Sequence, residues 1–419
     1  MSLLQSCSEI LKQIYVDKKS FSTCLRNVVH KTDFNKQHFG EISRIVSSEL
    51  RHHLFLEFVL NSQIKIALKD NQKYLVLCAL SSLYFAKQIN EKEVQDEIKK
   101  KLSPNDFKKL NPFLKEDQDL NQLILEARAG GESKEFLSIR YNTPLWFIKM
   151  IVSDFGTSMS QKILKRNIQP NKVCLSVNQK ETTTKKITTS YKEDFIDFKE
   201  VEGTVLYKGK KGYFAHEAFQ DGLVFPLKMG IKKLIRDLNF QKVKNVVAYV
   251  NNSSYVALEI LLKYSGPKNN LTIVYPGGEN FKYFENYVSK HVAKNVHLIK
   301  SDSPLDKLIS TKQDLVIINP KSSSFDLIKE QVDFFNTFDQ DCFDELVEEQ
   351  MNRLIQAKNI TNSKGKIVYF IDTIHKEEGN LLINEFKKLD DQIIDKEEKT
   401  RFSFEIFDTS MYYAILTKA

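Results

Sequence analysis

Residues Gln313–Phe325 read QDLVIINPKSSSF, and the rest of the chain is interpreted outward from them. Leu315–Ile318 is a continuous apolar run, the pattern of a strand buried on both faces of a parallel sheet. The run stops at Asn319-Pro320, and a polar loop, Lys321–Ser324, follows. In open α/β sheets ligands bind beyond the carboxyl ends of such strands, so a reacting group is expected in this loop. Asn, Pro, Lys and Ser stand there, without Cys, Asp or His.

The neighbours of this run extend the pattern. From Lys233 onward, strands at Val243–Val250, Leu271–Tyr275, Val296–Lys300 and Lys366–Ile371 alternate with helices at Tyr255–Tyr264, Asn280–Val292 and Phe343–Ala357. Tyr412–Leu416 closes the chain. Alternation of this kind predicts a mostly parallel, doubly wound, Rossmann-like sheet with helices on both faces, over residues 233–419.

Residues 1–128 read as helix throughout. Glu41–Leu60 places Ile42, Ile45, Val46, Leu50, Leu54 and Phe58 on one face. Tyr74–Ile89 is a second apolar helix, and the charged Asn90–Lys101 segment, Pro104 and Pro112 follow. The pattern is an all-α bundle. Arg51, His52 and His53 suit a metal or phosphate site, but a solvated helix face is the plainer account. Ala129-Gly130-Gly131 breaks the helical pattern and opens a linker and small middle domain over residues 129–232. That part contains Trp146, a strand at Val173–Val177, and a polar stretch, Gln179–Lys192, read as a solvated loop. Lys208, Lys210 and Lys211 around Gly209 and Gly212 form a basic turn suited to phosphates, with an ordinary hairpin turn as the alternative.

The totals set outer bounds. The chain has 419 residues, 42% hydrophobic and 28% charged, ordinary for a globular protein and long enough for two or three domains. No apolar stretch approaches the ~20 residues of a membrane span. The first residues lack the features of a secretory signal, so a cytoplasmic location is expected. Cys7, Cys24, Cys78, Cys174 and Cys342 are scattered, against a disulfide framework or metal site. The net charge of +8 makes RNA or DNA a plausible partner.

With these pieces placed, the chain resembles the bacterial Sun/RsmB family of small-subunit rRNA cytosine-C5 methyltransferases over nearly its whole length. Arg140-Tyr141-Asn142-Thr143-Pro144-Leu145-Trp146 is similar to that family's R-Y-S-x-P-x-W. Asn167-Ile168-Gln169-Pro170 and Val177-Asn178 are similar to its N-x-x-P…R-V-N, with Ser176 in place of the Arg. Phe214–Asp221 resembles the segment ending in Q-D, and Asp314 the acid of F-D before motif IV. Val368-Tyr369 with Glu377-Glu378 resembles V-Y-x-T-C-S-x-x-x-E-E, and Tyr413–Leu416 the closing F-x-A-x-L. The resemblance implies a NusB-like helical domain that binds RNA or protein, an RNA-contacting middle domain and a methyltransferase-type domain using S-adenosyl-L-methionine. It implies RNA, small-subunit rRNA above all, as the partner of a monomer, with Arg51, Arg140, Lys208, Lys210 and Lys211 as its contacts. Ribosome-assembly or transcription proteins are further partners.

The departures lie at functional positions. Where the family's cofactor loop reads D-x-C-A-A-P-G-G-K, this chain has Val247–Tyr255, with Ser253 and Ser254 at the glycines. Tyr275 stands where the second strand's ribose-binding acid is expected, with Glu279 close by. Asp302 keeps the third-strand acid. The degenerate pocket implied is Asn252, Ser253, Ser254, Glu279, Asp302, Asn319 and Pro320. The family's two catalytic cysteines fall at Lys321, for release, and Asp372, for the nucleophile. C5 of cytosine is a poor nucleophile, so a thiolate must first add to C6. A carboxylate is far too weak for that addition, and an ammonium with an ordinary pKa of ~10.4 is inert. Losing such a nucleophile costs on the order of a million-fold in turnover. The reading is therefore an RNA-binding pseudoenzyme. The alternatives are an RNA methyltransferase with altered chemistry, suggested by the likeness of Asn319-Pro320 and Phe325 to N/D-P-P-Y/F, and a NusB-like partner module in rRNA transcription or ribosome assembly.

Overall fold

The computed structural model describes residues 2–30, 36–127, 133–168, 173–209, 212–240, 243–251, 253–291, 294–339, 342–389, 393–403 and 409–419. The expected boundary at Ala129–Gly131 lies outside them. The chain forms two compact units: Met1–Gln169 with Leu327–Asp339, and Pro170–Asp326 with Gln340–Ala419.

In the first unit, apolar residues recur at helical spacing and polar side chains fix the helix ends. Ser2 opens α1 (Leu3–Tyr15). Its hydroxyl accepts the Gln5 amide at 3.2 Å, while Gln5 Oε1 accepts the Ser2 amide at 3.3 Å. Leu4, Cys7, Ile10, Leu11 and Ile14 then form one buried stripe. After α2 (Phe21–His30) and α3 (Lys36–Phe58), α4 (Asp70–Ser81) is buried without interruption from Tyr74 and packs against α1 and α3. A helix apolar all round belongs at the centre of a bundle. The single helix expected over Tyr74–Ile89 widens into a π turn at Ser82–Ala86, which Lys87 ends at φ 48°. Next come α5 (Glu91–Lys99), α6 (Pro104–Leu110), α7 (Leu120–Ala127), α8 (Lys134–Tyr141) and α9 (Leu145–Asn167), the last broken at Gly156, φ 74°.

The stripe expected on α3 turns after Leu50. Beyond it Phe55, Leu56 and Val59 are buried, and Leu54 and Phe58 only half so. An inserted side chain causes this. Asn142, at φ 47° on the C-terminus of α8, donates Nδ2 to the Leu50 carbonyl at 2.6 Å and accepts the Leu54 amide on Oδ1 at 2.9 Å. Those two groups are one turn apart on α3, and a side chain between them bends a helix. The segment Leu327–Asp339 completes this unit. Asp333 Oδ2 accepts the Phe21 amide at 2.7 Å, and the rings of Phe335 and Phe338 lie 6.0 and 5.7 Å from Trp146.

The second unit begins with a small four-stranded antiparallel sheet, in the order β2-β3-β1-β4: β1 (Val173–Val177), β2 (Phe195–Asp197), β3 (Thr204–Tyr207) and β4 (Val224–Pro226). The stretch Gln179–Lys192, expected as a solvated loop, instead holds α10 (Thr184–Ser190). Thr183 caps it by accepting the Lys186 amide at 3.2 Å, and Ile187 anchors it in the core. After α11 (Glu217–Gln220) and α12 (Met229–Asp237), β5 (Asn245–Val250), α13 (Ser254–Tyr264), β6 (Asn270–Tyr275), α14 (Lys282–His291), β7 (Val296–Lys300), β8 (Gln313–Asn319), β9 (Thr361–Ile371), β10 (Ile393–Ser403) and β11 (Thr409–Lys418) build the large sheet. Its order is β10-β11-β9-β8-β5-β6-β7.

Strands β5 to β9 are parallel, and β11 and β10 run antiparallel beside them. Alternate residues serve opposite faces, as the pleat requires. Val246, Ala248, Leu315 and Ile317 pack under α12, α13 and α14. Val247, Tyr249, Val316 and Ile318 pack against the helices Phe343–Ile360 and Asn380–Leu389. Burial on both faces explains why these strands read as unbroken apolar runs. The architecture is a mostly parallel, doubly wound sheet with helices on both faces, and the carboxyl ends of β5 to β9 converge on one edge.

Candidate functional site

The loop after β8 is fixed by a buried carboxylate. Glu378, fully buried, accepts the Ser323 amide at 2.8 Å, Gln350 Nε2 at 2.9 Å and the Thr373 hydroxyl at 2.8 Å, as well as the Ser323 hydroxyl. Its backbone carbonyl accepts Tyr369 Oη at 2.9 Å. Neutral donors satisfy both oxygens, which a buried carboxylate requires. The loops after β8 and β9 are thereby locked to each other.

Asp372 follows β9 directly, at the position the resemblance assigns to the nucleophilic thiol. The Lys228 ammonium lies against Asp326 Oδ2 and 3.5 Å from Asp372 Oδ2, so one cation serves two carboxylates. Oδ1 of each has no hydrogen-bond partner among the described residues. Asp326 and Asp372 are 4% and 8% exposed. A carboxylate, unlike a thiolate, is a poor nucleophile toward C6 of a pyrimidine.

Lys321, at the release position, is exposed, and its carbonyl accepts Gln350 Nε2 at 2.8 Å. Asn319 is fully buried and donates Nδ2 to the Phe370 carbonyl at 3.0 Å, which leaves Oδ1 without a partner among the described residues. Pro320 extends the strand end beside it. Phe325 is buried and stacks on His375, 5.7 Å between ring centres. Cys174 lies within β1, and Cys342 is exposed at the start of Phe343–Ile360.

The residues expected to meet S-adenosyl-L-methionine follow the carboxyl ends of β5, β6, β7 and β8. Asn252 lies outside the described residues. Ser253 caps α13, its hydroxyl accepting the Tyr255 amide at 3.2 Å, and Ser254 is buried in the first turn. Glu279 is exposed and pairs with Lys282 at 2.5 Å. The side chain of Asp302 is exposed, while its carbonyl accepts Arg353 Nη2 at 2.8 Å. Tyr275 turns its ring to Phe281 and Phe284, 5.2 and 5.5 Å away. Beyond it Gly277, at φ 82°, lies under Lys300, whose Cε would be 2.0 Å from an added Cβ. Among the described residues, β6 ends on Tyr275 rather than on a carboxylate, and serines rather than glycines lead into α13.

Of the cations expected at RNA, Arg51 and Arg140 are exposed on the first unit, Arg140 with its guanidinium 5.5 Å from the Tyr141 ring. Lys208 is exposed on the second unit. Lys210 and Lys211 lie outside the described residues. The solvated face expected for His52 and His53 is a correction. His52 stacks on Phe85 at 3.7 Å, and His53 Nδ1 meets the fully buried Glu49 Oε1 at 2.6 Å. Tyr15 donates to the other Glu49 oxygen at 3.1 Å. Burial works against the His53 imidazolium, but the charge and hydrogen bond of Glu49, with Glu57, outweigh it and raise the pKa. Spacing at i, i+4 was the sequence signal for this network.

Asp314 has a purely architectural setting at the opposite edge of the sheet. Oδ2 accepts the Lys244 and Asn245 amides at 2.9 and 3.0 Å, and Oδ1 accepts Asn362 Nδ2 at 2.8 Å, joining the starts of β5, β8 and β9. Among the described residues no group of three or more His, Cys, Asp or Glu side chains is arranged to hold a metal. None of their helices is long and apolar enough to cross a membrane.

No family model and no curated protein matches the chain by sequence. Solved structures do share its fold. PH0851 aligns at 15% identity over 99% of both chains with a TM-score of 0.68. NSun6 from Pyrococcus horikoshii, solved with SFG, aligns at 11% identity over 66% of this chain and 98% of its own, TM-score 0.56. A methyltransferase homolog protein from Pyrococcus horikoshii aligns at 13% identity over 69% and 100%, TM-score 0.54.

Proposed function

We propose that this chain binds RNA on a methyltransferase-type scaffold and does not methylate cytosine at C5. The observation that carries the reading is Asp372: where an attacking sulfur is required, a carboxylate shares the Lys228 ammonium with Asp326. Lys321, at the release position, faces solvent. In support, the retained likeness to the Sun/RsmB family falls on framework residues such as Asp314 and Glu378, and the departures fall on the reactive ones. The net charge of +8 suits a polyanion. In this reading the helical part, residues 1–128, is a NusB-like binding domain, and residues 129–232 contact RNA. The test is transfer of a labelled methyl group to small-subunit rRNA from cells lacking the protein, alongside calorimetry with S-adenosyl-L-methionine at millimolar concentration. Neither incorporation nor heat is expected, and label at a cytosine C5 refutes the reading.

One observation favours methylation of an exocyclic amine instead. Asn319 Oδ1 and Asp372 Oδ1 are acceptors without partners among the described residues, and an amine supplies donors to both. Against it, Phe325, the ring that would stack on the base, is committed to His375. Cofactor binding by calorimetry would favour this second reading over the first.

A further inference from the structure

On the second unit, where the end of β1 meets α12 and α13, a cavity of about 300 Å³ is lined by Lys180, Lys232, Arg236 and Lys263 and by Glu202 and Glu259. Four cations and two carboxylates line it, and with Asp237 beside Arg236 one positive charge is left in surplus. The surplus can be assigned to particular residues. Lys232 and Glu259, both 5% exposed, pair at 2.6 Å, and Ser176 donates to the second Glu259 oxygen at 2.9 Å. Arg236 pairs with Asp237 through Nε and Nη2, at 3.1 and 2.9 Å.

Lys180 and Lys263 remain: their hydrogen bonds go to neutral oxygens, with Glu181 near Lys180 and Asp237 and Glu259 near Lys263. Lys180 Nζ lies against the Ser265 hydroxyl, and Lys263 Nζ donates to the Arg236 carbonyl at 2.5 Å. An ammonium has three N–H donors, so each retains unused ones. Burial lowers the pKa of both, and the nearby carboxylates offset only part of it. An anion in the cavity answers both needs. Compact ammonium groups with unused donors suit a phosphate oxygen. At the rim, Gly203 adopts φ 75°, where an added Cβ would stand 2.6 Å from Gln179 Nε2 and 3.5 Å from Lys232 Cε, so the turn closes tightly over the lining.

We propose that this cavity binds a phosphate group, carried by an RNA backbone or by a free phosphate compound. It rests on the RNA-binding reading only if the phosphate is RNA's. The exposed Glu202 at the rim opposes an anion and sets the affinity below what the lysines alone would give.

The experiment uses the full chain, its Lys180→Met/Lys263→Met variant and its Glu202→Gln variant, with circular dichroism confirming that each is folded. Inorganic phosphate is titrated by calorimetry, and labelled single-stranded RNA by anisotropy across a salt series. Loss of about tenfold in affinity per ammonium removed, with tighter binding by Glu202→Gln, is expected for the probe that occupies the site. If that probe is RNA, the double variant also lowers the salt slope by about 0.7 for each phosphate released. If it is the free ion, phosphate affinity falls while the RNA isotherms stay unchanged. Phosphate binding that responds to the variants in a protein with no RNA affinity supports the cavity and defeats the RNA reading. Folded variants that change neither titration overturn the proposal.

Discussion

Asn142 allows a quantitative test of how the helical unit is joined. Its side-chain amide spans the Leu50 carbonyl and the Leu54 amide at 2.6 and 2.9 Å, and its backbone sits at φ 47°. Asn142→Gly keeps the left-handed backbone and removes two hydrogen bonds worth about 0.5–1.5 kcal/mol each. Leu54 can then close on Leu50 within α3, which offsets part of that, so a loss of about 1–2 kcal/mol is expected. Asn142→Ala adds the cost of a Cβ in the left-handed region, about 1–2 kcal/mol, for a total of about 2–4 kcal/mol. Trp146, the only tryptophan, belongs to this unit, so its fluorescence during urea unfolding reports on it. The midpoint should fall in the order parent, Gly, Ala with little change in slope. Gly and Ala variants that unfold together, or at the parent's midpoint, refute the inserted-amide account.

Three further outcomes are expected. Lys228→Met leaves Asp326 and Asp372 buried without a cation. Breaking a buried pair costs about 3–5 kcal/mol, and the 28% exposure of the lysine side chain reduces this to about 2–3 kcal/mol in thermal unfolding, with Asp326→Asn recovering part of it. The raised pKa of His53 gives the helical unit stability that is full below the unfolded value of ~6.5 and is lost as pH rises through the folded one. Trp146-monitored unfolding should show that loss, and His53→Gln should abolish it. For Asp314, burial raises the pKa, but the Asn245 and Lys244 amides and Asn362 outweigh it and the net shift is downward. Its contribution is present above the unfolded value of ~3.9 and is lost as pH falls through the folded value, so acid unfolding should be shallower in Asp314→Asn.

The parallel sheet was legible because burial on both faces leaves unbroken apolar runs, and β7 spans the residues expected of it, Val296–Lys300. Strand β10 was not legible. At Ile393–Ser403 it reads IIDKEEKTRFS, and as an edge strand that among the described residues pairs only with β11 it can be charged, as edges commonly are. Helix α10 escaped notice because one buried residue, Ile187, anchors a threonine-rich turn. At the candidate site the sequence located Lys321 and Asp372, but no spacing rule links Asp372 to Lys228, because their contact depends on how the chain returns to the strand end. The Asn142 insertion likewise leaves no periodic trace; only the drift of the α3 stripe after Leu50 reflects it.

The segment Leu327–Asp339 sets how late in synthesis the first unit can be completed. The Asp333 carboxylate that receives the Phe21 amide, and the Phe335 and Phe338 rings around Trp146, are translated only after β5 to β8 have already emerged. The amino-terminal bundle therefore waits, with an aromatic surface uncovered, through most of synthesis, and a fragment ending at residue 169 would remain in that state permanently.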